Sequence, residues 1–68
     1  APPARRVLVP VAHGSEEIET VSIVDTLRRA GAQVTLASVE PGELTVKCSR
    51  GVQLVADASL ESVAEESW

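Results

Sequence analysis

Aromatic side chains are almost absent from this 68-residue chain, which has no Phe, no Tyr and one Trp, Trp68, at its last position. Aromatics carry much of the burial in compact small domains, so a self-sufficient core built on them is excluded. Cysteine and histidine occur once each, as Cys48 and His13. One cysteine forms no intrachain disulfide, and one cysteine with one histidine falls short of the usual four-ligand zinc site. A chain this short buries only about 60% of the surface its unfolded form exposes, and staples of those kinds usually supplement such a core. With both excluded, a partner chain or further polypeptide is expected to complete it. Positive charge is scarce too: six Lys and Arg against ten Asp and Glu give a formal net charge of −4. The basic residues are scattered with no aromatics between them, which argues against nucleic acid as a partner. No apolar run approaches the roughly 20 residues of a membrane span.

What the chain does have is Val, Leu, Ile and Ala, the residues of parallel strands that need helices on both faces. Val7 to Ala12 is a short apolar run whose length and β-branching predict a buried strand. Pro10 cannot donate to a ladder, so an irregularity or an end is expected near it. His13-Gly14-Ser15 breaks the run. Ser15 is placed to cap a helix through its hydroxyl, and Glu16, Glu17 and Glu19 follow where the helix dipole favours negative charge. Ile18, Val21, Val24 and Leu27 predict a buried stripe that Ile23 and Ala30 widen. Asp25 and Arg29 are spaced for an i,i+4 pair, and Gly31 is a stop signal. The helix is thus expected over 16–30.

Val34 to Val39 is a second strand, and the strand–helix–strand order predicts a βαβ unit. A turn at 40–43 leads to two short strands, 44–48 and 52–56, joined by Ser49-Arg50-Gly51 as in a hairpin. Asp57-Ala58-Ser59 is expected to open a short helical segment reaching about Glu66. A third parallel strand should follow, so the fold is expected to continue past Trp68. The acid-free start, Ala1 to Arg6, reads as an N-terminal tail or as the stub of a processed transit peptide.

Gly14 lies between a first strand and a first helix, where phosphates often bind. It stands alone, without the G-x-G-x-x-G or G-x-x-x-x-G-K pattern, and the glutamates after it repel phosphate. Glu19 has two readings. It is either another exposed first-turn glutamate or a carboxylate that looks inward over the C-terminal end of the first strand, where open α/β sheets place their ligands. In the second case it can share a proton with a nucleophile. Glu16 and Glu17 read as solvated charges that stabilise the helix dipole. Cys48, between Lys47 and Ser49-Arg50, is either a structural cysteine or a thiol whose pKa nearby cations lower. His13 reads as a loop histidine near a pocket mouth, and Arg28, Arg29 and Arg50 read as surface charges. Arg50, at a turn, also suits an interface or an anion.

Taken together these stretches resemble the DJ-1/ThiJ/PfpI family, and its DJ-1 branch in particular. The resemblance runs through Arg6 to Ala12, His13-Gly14-Ser15-Glu16-Glu17-Ile18-Glu19-Thr20-Val21, Asp25 to Thr35, Cys48-Ser49-Arg50 and Asp57 to Glu61. The Val-Pro-Val-Ala-His-Gly start is closer to plant or algal members than to animal ones. The resemblance implies a flavodoxin-like three-layer α/β sandwich, with 1–68 as the N-terminal part of one domain, and a homodimer. It implies a glyoxalase of the glyoxalase III type, turning methylglyoxal into lactate with no cofactor, or a deglycase. The alternative is a non-catalytic redox-sensing or chaperone-like stress protein on the same fold. Catalysis in the family uses an elbow cysteine held by a glutamate of the first helix, and Glu19 is at the matching position. Glu16 matches a pocket-lining residue, with Gly14 beside it, while Arg29 and Arg50 match positions near the pocket and the dimer contact. Cys48 matches a peripheral cysteine near the dimer interface. The elbow cysteine and its histidine lie beyond the position of Trp68, so a missing segment or a second polypeptide is expected to carry them. The expected compartment is the cytoplasm or, after removal of a transit peptide, a plastid.

Overall fold

The apolar run at the start of the chain forms a strand, β1 (Arg6–Val11), in a computed structural model that describes residues 5–68. The stretch read as a tail or transit stub lies outside the described residues over 1–4. α1 (Glu17–Arg29) follows, then β2 (Gln33–Ser38), β3 (Thr45–Lys47), β4 (Gln53–Val55), β5 (Ala58–Ser59) and α2 (Leu60–Val63). β1 and β2 pair in parallel from Arg6 opposite Gln33 to Val11 opposite Ser38. β5 extends this sheet on the far side of β2, in the order β1-β2-β5, and β3 and β4 form a separate antiparallel pair.

Pro10 neither ends nor interrupts β1. The carbonyls of Arg5 and Val11 accept from Gln33 and Val39, so odd-numbered residues of β1 face β2. Backbone groups alternate sides along a strand, which turns the Pro10 nitrogen toward the outer edge, where no ladder bond is lost.

The predicted helical stripe is wrong in phase. Ile18 is 74% exposed, and Val21 and Ile23 are about half exposed. The sheet-facing set is Glu17, Thr20, Val24 and Leu27. A spacing of three advances only ~300° per step, so four such residues drift about half a turn around the helix and cannot share one face. The helix ends as expected at Gly31, whose φ of +90° suits only glycine without strain. Gly31 N–H donates to Arg28 O at 3.1 Å and Ala32 N–H to Leu27 O at 3.0 Å, a Schellman pair.

The helix expected from Asp57 is shorter and starts later. Ala58 and Ser59 pair with Ala37 and Ser38 as β5, and Ser59 then caps α2 by accepting from Ser62 N–H. Asp57 is a tie between elements: its Oδ2 accepts from Leu36 N–H at 2.9 Å and from the Arg28 guanidinium at 3.1 Å. Arg28 also donates to Val34 O at 3.1 Å, so it is a half-exposed bridge from α1 to β2 and not a simple surface charge.

The β3–β4 pair folds back over the sheet. Val11, Val46, Cys48 and Ala56 are buried in one cluster, with Leu36 and Leu54 packed against it. Val39, Leu44, Val52 and Val55 remain exposed, as does much of α1. The Cα atoms span 40 × 25 × 12 Å. The smallest dimension is close to the ~10 Å spacing of two packed layers, not three. Among the described residues no helix is long and apolar enough to cross a membrane. Two outcomes follow. Residues 1–68 in isolation are expected to melt without a cooperative transition by circular dichroism. In the complete protein Val46→Ala should cost about 2 kcal/mol in urea unfolding at unchanged m-value, because Val46 is fully buried.

Candidate active site at the start of the first helix

Between β1 and α1 the chain is laced to the β3–β4 turn by backbone and side-chain bonds. Gly14 N–H donates to Lys47 O at 2.9 Å, and Ser49 N–H donates to Ser15 O at 2.9 Å. Gly14 has a φ of +89° with open space around its Cβ position, so the backbone conformation, not crowding, calls for glycine. His13 latches the same loop. Its Nδ1 accepts from Lys47 N–H at 3.1 Å, which leaves the ring proton of the neutral form on Nε2, 2.8 Å from Glu43 Oε2. Its backbone N–H donates to Glu40 Oε2 at 3.0 Å.

Ser15 does not cap α1. Its Oγ accepts from Ala12 N–H at 3.0 Å and holds the loop's own turn. The cap is Glu16, whose Oε1 accepts from Ile18 N–H at 2.9 Å. Its other oxygen, Oε2, lies 3.3 Å from Ser49 Oγ.

Glu17 is not the solvated dipole charge expected of it. It is 8% exposed. Its Oε1 accepts from Ser49 Oγ at 2.9 Å and its Oε2 from Arg50 N–H at 3.0 Å. Burying a carboxylate is costly unless donors replace water, and here they do. Its own backbone N–H, above all, then Ser49 and the amides of Arg50 and Val52, outweigh desolvation and hold the Glu17 pKa below its ordinary value.

Glu19 faces the other way. Two residues along a helix is ~200° around it, so a buried Glu17 requires an outward Glu19. It is exposed and not turned inward over the first strand, and among the described residues its carboxylate meets no hydrogen-bond donor. The start of α1 therefore carries three carboxylates in three states: one capping the helix, one buried and fully bonded, and one presented at the surface beyond the C-terminal end of β1.

The other candidates lie apart. Arg29 is paired with Asp25 at 3.0 Å on the exposed side of α1. Arg50 brings its backbone amide to Glu17, while the residue itself is exposed. Cys48 is 4% exposed within the core, and burial, then the Glu17 and Glu16 carboxylates, push its thiol pKa up. The neighbouring cations do not activate it. A shallow groove of ≈ 380 Å³ beside His13, Glu43, Lys47 and Gln53 does not include Glu19. Among the described residues no group of three His, Cys, Asp or Glu side chains is placed to hold a metal ion. Ser49 is the site residue that sequence reading passed over. Its contact with Glu17 spans 32 positions, and no local pattern announces it.

The DJ-1/PfpI family model matches residues 5–68. The chain is 46% identical over 61 residues to protein DJ-1 homolog B of Arabidopsis thaliana, covering 90% of this chain and 14% of that protein. It is 46% identical over 65 residues to protein dj-1beta of Drosophila melanogaster, covering 96% of this chain and 34% of that one. Among solved structures, oxidised Toxoplasma gondii DJ-1 superposes with a TM-score of 0.92 at 58% identity, over 96% of this chain and 35% of that one. Drosophila DJ-1beta gives 0.91 at 45% identity, over 97% and 35%. The chain spans about a third or less of the length of these relatives, and its parallel strands and helices match part of their flavodoxin-like α/β fold.

A buried carboxylate with a lowered pKa stabilises the fold in its charged form. That contribution is complete above the ordinary glutamate pKa and is lost as pH falls through the lowered value in the fold. Glu17→Gln in the complete protein should therefore lower the urea midpoint near pH 7 and flatten the loss of stability in the acid range. Glu19→Gln should leave both nearly unchanged.

Proposed function

This chain belongs to the DJ-1/PfpI family, and from that premise we propose that it supplies the acid–base glutamate of a cofactor-independent glyoxalase of the glyoxalase III type. The observation that carries this reading is Glu19. It stands on the first turn of α1 with its carboxylate exposed, while Glu16 and Glu17 on the same turn are taken up by the helix cap and the hairpin. An exposed glutamate beyond a strand's C-terminal end is where open α/β sheets assemble their sites.

In this mechanism a cysteine on polypeptide outside these 68 residues approaches Glu19. The thiol proton passes to the Glu19 carboxylate, and the resulting carboxyl group donates a hydrogen bond back to the thiolate. The thiolate attacks the aldehyde carbon of a 2-oxoaldehyde, and the former carbonyl oxygen takes up a proton to give a hemithioacetal. The C1 proton then moves to C2 through an enediol, which oxidises C1 to a thioester and reduces C2 to an alcohol. Water cleaves the thioester, releases the hydroxy acid and restores the thiol. Atoms and electrons balance without metal or redox cofactor, because the oxidation of one carbon offsets the reduction of its neighbour. Residues 1–68 form part of one domain in this proposal, and that domain pairs as a homodimer. Gly14 and Glu16 edge the pocket, and Arg29 and Arg50 lie near the contact between protomers.

Glu19→Gln in the complete protein should lower kcat for methylglyoxal by about 10² to 10⁴-fold, the range of general acid–base catalysis, with unchanged thermal stability. Unaltered kinetics would sink the assignment. Chaperone activity that survives replacement of the elbow cysteine, with no turnover in the parent protein, would move the function to the non-catalytic reading.

A further inference from the structure

The β3–β4 turn is joined to the helix that carries Glu19 by backbone amides and by one side chain. Ser49 Oγ lies 2.9 Å from Glu17 Oε1 and 3.3 Å from Glu16 Oε2. A hydroxyl has one proton, so the shorter contact with the buried carboxylate is the donating one. The Ser49 backbone N–H is committed as well, to Ser15 O at 2.9 Å. The next amide, Arg50 N–H, lies 3.0 Å from Glu17 Oε2. One two-residue stretch thus grips the loop before α1 and the first residue of the helix. The Val52 amide is the other hairpin donor that faces Glu17.

We propose that Ser49 is a positioning residue for Glu19: by holding the Glu17 carboxylate from the hairpin turn, its hydroxyl fixes the rotation of the first turn of α1 and so the direction in which Glu19 is presented. The proposal rests on the catalytic reading of Glu19. Two positions of helix separate Glu17 from Glu19, so a rotation of the first turn that frees Glu17 carries Glu19 off line by the same angle. Misplacement of a reacting group by about 1 Å can lower a rate 10²-fold. Ser49 touches neither substrate nor nucleophile in this scheme. Its loss therefore acts through the Glu19–thiol hydrogen bond, and the nucleophile's thiol titrates higher, toward the range of an ordinary cysteine.

The experiment compares the complete protein with Ser49→Ala, Ser49→Thr, Glu17→Gln, Val46→Ala and Glu19→Gln. It measures methylglyoxal kinetics from pH 5 to 9 and the pH dependence of iodoacetamide alkylation of the nucleophilic thiol. Ser49→Ala is expected to lower kcat about tenfold to a hundredfold with little change in KM. It should also move the acid limbs of both profiles to higher pH. Ser49→Thr, which keeps the hydroxyl, should restore both. Glu17→Gln keeps an oxygen for Ser49 but loses the charge, so it should shift the profiles the same way by less; it carries the test if Ser49→Ala does not fold. Val46→Ala weakens the same hairpin without touching these bonds and should lose stability with unmoved profiles. If Glu19→Gln abolishes turnover while Ser49→Ala and Glu17→Gln leave the profiles in place, the positioning role is overturned and the catalytic reading stands. If profiles move equally for Val46→Ala, the effect is general loosening and the positioning role is again overturned. If Glu19→Gln itself retains activity, the catalytic reading falls and the positioning role falls with it.

Discussion

A single buried carboxylate organises this chain. Glu17 sits at the first position of α1, where it is removed from water. Its charge is tolerable there because a hydroxyl and backbone amides replace the lost hydration. Apart from its own backbone N–H, those donors belong to a hairpin more than 30 positions away in sequence. The need to satisfy Glu17 thus fixes three things together: the phase of α1, the place of the β3–β4 pair over the sheet, and the outward direction of Glu19. Val46, Cys48 and Ala56 pack with Val11 in the same buried cluster.

The remaining order comes from two shorter ties. Asp57 collects Arg28 and the Leu36 amide, which joins α1, β2 and the approach to β5. His13 joins the β1–α1 loop to β3 and to the turn after β2. The outer edge of β1, with Pro10 on it, and the exposed apolar side chains of α1 are left without partners among the described residues. Exposed apolar surface of this kind marks a place where other protein packs, in keeping with a chain that covers about a third or less of its relatives.

The main elements were legible because their signals are local. β-branched runs of six residues mark β1 and β2, Gly31 stops α1, and Ser49-Arg50-Gly51 closes a hairpin. Signals failed where the answer depended on something distant. Ser15 has the chemistry of a cap, but its hydroxyl is used by Ala12, so Glu16 caps instead. Ala58-Ser59 has a helix-start composition, yet it finds a free edge on β2 and becomes a strand first. The stripe from Ile18 to Leu27 was apolar but had the wrong period, and the buried face was decided by the one glutamate that had donors waiting. In the candidate site, Glu19 was singled out by pattern and resemblance, whereas the division of labour among Glu16, Glu17 and Glu19 could not be.

By itself the sequence determined the β-α-β order, the absence of disulfide and zinc-site staples, the concentration of acid at the start of α1 and the family that this pattern resembles. Composition, periodicity and turn chemistry are properties of neighbouring residues, so no fold is needed to read them. Only the tertiary structure decided which of the three carboxylates is buried, which caps the helix and which is presented. A helix alone can adopt any rotation about its axis, and here the rotation is set by hydrogen bonds from Ser49 and Arg50, residues whose nearness to Glu17 exists only after the hairpin has folded over the sheet.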